Sequence, residues 1–165
     1  MNRLAAILCT LAVAVAIVPA ASTGASGGPT DSLTGSGWRG TVATPNTPHT
    51  HIAVSAHLGP QGVSGAFASI NATNPLLDFR GNVTCLYVNG DHAVVGGVTT
   101  SGGGPGQVGT GFAVGFVDNP SPTPDQVTFS DVAIGVPVDC VGESFLFTLE
   151  LFPVLRGNVE INDAP

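Results

Sequence analysis

The stretch HIAVSAHLGPQGVSGAFASI, residues 51–70, decides the fold. Ile52, Val54, Ala56 and Leu58 alternate with His51, Ala53, Ser55 and His57, a period of two that marks a half-buried strand rather than a helix. Gly59-Pro60-Gln61-Gly62 interrupts the alternation with turn-forming residues, and the pattern resumes over residues 63–70. A β-hairpin is predicted.

The same reading extends in both directions. Residues 82–88 lead into Asn89-Gly90, a dipeptide that tolerates the positive φ of a tight hairpin turn, and residues 93–98 return as the partner strand. Phe112, Val114 and Phe116 alternate with Ala113, Gly115 and Val117, so this strand is apolar on both faces and is expected to lie inside its sheet. Val127 and Phe129 set one phase whereas Val132, Ile134 and Val136 set the other, which predicts a bulge or bend near Asp131. Phe145, Phe147, Leu149 and Leu151 form an every-other-residue stripe ended by Pro153, and Val159 with Ile161 makes the last strand. The single helical signal is Asn74-Pro75-Leu76-Leu77-Asp78, where Asn can cap one turn and Pro can occupy its start. The expected fold class is all-β: one antiparallel β-barrel or β-sandwich of about eight or nine strands, inclined to a barrel-like meander, with at most one short helical turn.

Ahead of this domain, Met1, Asn2 and Arg3 precede an apolar run over residues 4–18 and then Pro19-Ala20-Ala21-Ser22, the order of parts in a secretory signal peptide. Cleavage is expected after Ala20 or Ala21. Leu8 precedes Cys9 inside the apolar run, which does not suit a lipid-modified cysteine. Residues 22–35 are Gly, Ser, Thr, Ala and Pro-rich and read as a flexible leader, leaving residues 36–165 as a single all-β domain. Secretion to an extracellular location is the expectation.

Charge narrows the partners. Arg39, Arg80 and Arg156 are the only Lys or Arg behind the signal, against eleven Asp and Glu. Nucleic acid and anionic membrane surfaces attract through clustered cations, so neither is an expected partner once the signal is removed. With no lysine in the chain, imine-forming amine catalysis is excluded. Export also leaves Cys85 and Cys140 as an even pair in an oxidising compartment, and they are expected to form a disulfide.

Four arrangements resemble chemistry. His49, His51 and His57 share one strand parity and could project from one face as ligands for Zn or Cu, with His92 as a third ligand to a pair. No Cys, Asp or Glu on that strand completes the set, however, and the bland reading is three imidazoles on the wet face. Asp118, Asn119 and Asp125 offer oxygens to Ca²⁺, but the Pro-rich loop between them lacks a bidentate Glu. A hydrolase would need two of Asp118, Asp131, Asp139, Glu143 and Glu150 facing one cleft. Asn71-Ala72-Thr73 and Asn82-Val83-Thr84 match glycosylation acceptors, of weight only in a eukaryotic secretory pathway. Two further motif matches are coincidental: the Gly-x-Ser-x-Gly of residues 24–28 lies in the leader, and the Gly-x-Gly-x-x-Gly of residues 104–109 joins two strands and opens no helix.

GNVTCLYVNGDHAVVGGV (residues 81–98) with GFAVGFVDNPSPTPDQVTFS (residues 111–130) resembles a family of secreted bacterial β-domains of unknown function. The likeness lies in the Val-Thr-Cys-Leu strand, the Gly-containing tight turn, the Ala-x-Val-Gly-Gly strand and the Val-Asp-Asn loop. It implies export and β structure and carries over no functional residue. Pro120 stands where that family commonly has Gly, so the loop conformation is not transferred.

Function is expected, first, to be that of a non-catalytic extracellular module binding a surface, a small apolar ligand or another protein. A Zn- or Cu-binding domain built on the strand histidines is the second expectation, and a secreted hydrolase the third. On balance the reading is against an enzyme, and no organic cofactor is expected.

Overall fold

The computed structural model describes residues 30–41, 43–103, 106–128 and 131–164, with the side chain of Asp131 outside that description. The signal peptide, most of the expected leader, Cys9 and Phe129 fall outside the described residues, as do residues 24–28 and part of the 104–109 motif.

Ten strands follow in chain order: β1 Ser32–Arg39, β2 Thr50–Gly59, β3 Gly62–Asn71, β4 Phe79–Asn89, β5 His92–Gly102, β6 Gly111–Val117, β7 Gln126–Thr128, β8 Asp131–Ile134, β9 Leu151–Pro153 and β10 Arg156–Asn162. Short 3₁₀ segments cover Pro75–Leu77 and Gly142–Thr148. All pairings are antiparallel, in the order β10-β1-β2-β3-β4-β5-β6-β7-β9, with β8 also on β6. The fold is the all-β antiparallel meander that the alternation predicts, curled into a barrel-like sheet. Its two edges are consecutive in the chain, because only Val154 and Leu155 separate β9 from β10. Those two residues bridge the gap: Val154 N–H donates to the Asp125 carbonyl at 2.8 Å and Leu155 N–H to the Trp38 carbonyl at 2.7 Å.

Inward parity builds one core. Leu33, Val54, Phe67, Val95, Val114 and Val159 are among the residues that fill the interior, and Phe67 gathers Phe79 and Phe112 around it at ring separations of 5.4 Å. Each such ring contributes on the order of 1.5–3 kcal/mol by leaving water. The outer edge of β10 is closed by side chains instead of a strand. Asp125 Oδ2 accepts the Val159 N–H at 2.7 Å and Asp118 Oδ2 the Ile161 N–H at 3.0 Å, so two edge donors that would otherwise invite another strand are satisfied.

A second, smaller cluster covers the outer face of β4 to β6. Val138, Cys140 and Leu146 pack there on Val94 and Ala113. A register shift between Val83 and Cys85 explains the placement, since a bulge reverses the alternation and turns Cys85 outward. Cys85 and Cys140 form the expected disulfide, closing a loop with a sequence separation of 55 residues. Gly96 leaves room for it, because a Cβ there would meet Cys85 Sγ at 2.9 Å.

Three expectations need correction. β1 begins at Ser32 with Leu33 fully buried, so the folded domain starts before residue 36 and the leader cannot extend to residue 35. The stripe of residues 145–151 is not one strand: Gly142–Thr148 is a 3₁₀ segment that buries Leu146 and leaves Phe145 and Leu149 more than two-fifths exposed. The disulfide and the small residues Ala113 and Gly115 beneath it hold that segment on the outside of the sheet, and with Pro75–Leu77 it makes two helical segments instead of one. The strand count exceeds nine because residues 126–134 break into two strands. The register slips by one residue between Phe116↔Val127 and Ala113↔Asp131, the irregularity expected near Asp131, and Ala133 adds a left-handed φ of 62°.

Candidate functional site

At the end of the sheet where β1 and β3 finish and β2 and β4 begin, the inward rows change character. The register places Arg39, Thr50 and Asn71 side by side as the outermost row, with Ile52, Ser69 and Phe79 beneath them. These positions continue the parity of Leu33, Val54 and Phe67, so they face the interior although most are polar. Of these, Arg39, Thr50, Ser69, Asn71 and Phe79 line a cavity of about 250 Å³, together with Gly103, Gly106 and Val132. Its walls are mostly apolar, with a few convergent polar groups, the usual make-up of a small-molecule site.

Burial varies across the lining, and Phe79 at 5% exposed is as buried as its polar neighbours. Arg39, Thr50 and Ser69 are each 4% exposed, whereas Leu77 at the mouth is 47% exposed. Arg39 Nη1 donates to the Gly40 carbonyl at 3.1 Å, and its guanidinium lies 5.6 Å from the Phe152 ring centroid. Burial lowers its pKa to about 10, which leaves it cationic at neutral pH. Asn71 Nδ2 donates to Thr50 Oγ1 at 3.4 Å. The mouth is set by the loop between β3 and β4: Asn71 Oδ1 accepts the N–H groups of Thr73 and Asn74, and Asn74 Oδ1 accepts that of Leu76 at 3.1 Å. These bonds cap the expected helical turn that carries Leu77, a residue of the cavity lining.

Apart from Asn71, the histidines and carboxylates singled out from the sequence do not line this cavity. His51 and His57 do share the outer face of β2, but six residues apart they are separated by about 20 Å of strand. His51 packs against Trp38 at 5.2 Å and His57 Nε2 lies 3.3 Å from Ser55 Oγ. His49 precedes the strand, and His92 pairs with Asp91 and packs on Phe147. Among the described residues no three His, Cys, Asp or Glu side chains gather within reach of one metal ion. Asp118 and Asp125 hold backbone N–H groups of β10, and Asp139 Oδ1 accepts the Val141 N–H at 3.1 Å, so these carboxylates are occupied as structural acceptors.

Among the described residues the cavity lining carries no imidazole and no carboxylate. The arrangement is suited to holding a molecule. Arg39, Thr50 and Ser69 were not singled out beforehand, yet a signal existed: each is a polar residue on core parity at a strand end. No family model, curated protein or solved structure matches this chain. No helix among the described residues is long and apolar enough to cross a membrane.

Proposed function

We propose that this protein is an exported, non-catalytic binding module whose ligand is a small molecule held in the cavity at the Arg39 end of the barrel-like sheet. The observation that supports the reading is the polar row of Arg39, Thr50 and Asn71 turned into an otherwise apolar interior, where a packed core would place aliphatic side chains. Export is supported by the signal-like start and by a disulfide, which persists in oxidising compartments.

Hexan-1-ol is a suitable neutral probe. Ligand bound only by the folded state raises the unfolding midpoint in proportion to the logarithm of its concentration. The expected result is an increase that continues with the logarithm of hexan-1-ol concentration for the wild type and none for Ser69→Leu, which fills the cavity from β3. Equal responses in both proteins, or no response in either, would count against the cavity as the site.

A further inference from the structure

Resting on the reading of the cavity as a ligand site, we infer that the ligand is a small neutral carbonyl compound whose oxygen is bound by the hydroxyls of Ser69 and Thr50. Ser69 lines the cavity at 4% exposed, and among the described residues its hydroxyl makes no hydrogen bond. Its cross-strand neighbours on the same face, Ile52 and Phe79, are both apolar. An alanine in that row would pack against them equally well, whereas a buried hydroxyl without a partner costs free energy. A ligand oxygen removes that cost.

Thr50 supplies the second donor. It too is 4% exposed in the lining, and it accepts a proton of Asn71 Nδ2 at 3.4 Å, which leaves its own hydroxyl proton to be donated. Thr50 pairs with Asn71 across β2 and β3, so it lies diagonally from Ser69 on the inward face, within the roughly 7–8 Å of such neighbours. Two hydroxyls so placed can converge on one carbonyl oxygen, which has two lone pairs. The Asn71 carboxamide oxygen is already filled by Thr73 and Asn74. Arg39 is engaged with the Gly40 carbonyl and the Phe152 ring and takes no part in the contact. The remainder of the ligand is apolar, because Leu77, Phe79 and Val132 supply walls around it. An apolar cavity of about 150 Å³ is enough for benzene, so one of about 250 Å³ holds a six-membered ring with its substituents.

Cyclohexanone and methylenecyclohexane share one shape and differ only in the carbonyl oxygen, which the hydrocarbon replaces by CH₂. Their affinities for the disulfide-bonded wild type, Ser69→Ala and Thr50→Val are read from the amide shifts of Thr50, Ser69 and Phe79 during titration. Taking the ratio of wild type to variant for each probe cancels the difference in hydration between the probes. Ser69→Ala is expected to bind cyclohexanone about tenfold more weakly and methylenecyclohexane within about twofold of wild type, as loss of one buried hydrogen bond requires. Should Ser69→Ala fail to fold, Thr50→Val carries the test and should weaken cyclohexanone severalfold, again sparing the hydrocarbon. Equal ratios for the two probes, or binding of the hydrocarbon alone, would overturn the carbonyl inference while leaving the cavity reading intact. Binding of neither probe would overturn both.

Discussion

Replacing Asp125 by Ala should destabilise the protein more than any other single carboxylate removal in the loop between β6 and β7. Asp125 is 6% exposed and accepts two backbone N–H groups, Val159 at 2.7 Å and Asn119 at 3.0 Å. Val159 is 1% exposed, so its amide loses its partner in a buried setting when the carboxylate is removed. An unsatisfied buried donor costs about 1–3 kcal/mol, and the half-buried Asn119 amide adds less because it can rehydrate. The expected loss is about 3 kcal/mol. With a urea m-value of about 2 kcal/mol/M for a domain of this size, the midpoint should fall by about 1.5 M at unchanged m. Asp118→Ala removes only the bond to the Ile161 amide and should cost about 1 kcal/mol. A midpoint for Asp125→Ala within about 0.3 M of wild type, or a loss equal to that of Asp118→Ala, would refute the assignment of these carboxylates as the closure of the β10 edge.

Other consequences follow from the outer layer and the histidines. Cys85→Ser with Cys140→Ser removes a cross-link spanning 55 residues and should lower stability by about 4 kcal/mol, with amide exchange rising first over residues 138–148; unchanged exchange there would contradict the tethering role. Gly96→Ala places a methyl within 3.1 Å of both sulfurs and of Val138, and should cost about 1–3 kcal/mol or leave free thiols detectable by thiol titration. Chelator treatment should leave the thermal midpoint unchanged, because His49, His51 and His57 do not converge; a fall of several degrees on chelation would revive the metal reading.

The meander was legible because its signals are local. Parity along β2, the Pro60-Gln61 turn and the Asn89-Gly90 turn each need only neighbours in the chain, and the hairpins appear where those residues place them. Within the second hairpin the two-residue loop is Gly90-Asp91, with Asn89 paired to His92 and Gly90 supplying the positive φ of 62°. The outer layer was not legible for the opposite reason. Whether residues 142–148 extend as a strand or coil as a 3₁₀ segment depends on a disulfide to β4 and on the small outward-facing residues Gly96, Ala113 and Gly115, far away in sequence. β6 reads correctly as buried on both faces, but the cause is that layer as much as its place in the sheet. The cavity lay between these cases: the parity of Arg39, Thr50 and Ser69 was visible, whereas their convergence needed the register of four strands.

The most direct test of the cavity as the ligand site is a ¹⁵N–¹H correlation spectrum of the oxidised protein titrated with hexan-1-ol. Saturable shifts are expected at the amides of Arg39, Thr50, Ser69 and Phe79, with residues 141–149 on the outer layer unmoved. Shifts concentrated on Val141, Phe145 and Leu149, or an unchanged spectrum at millimolar hexan-1-ol, would contradict it.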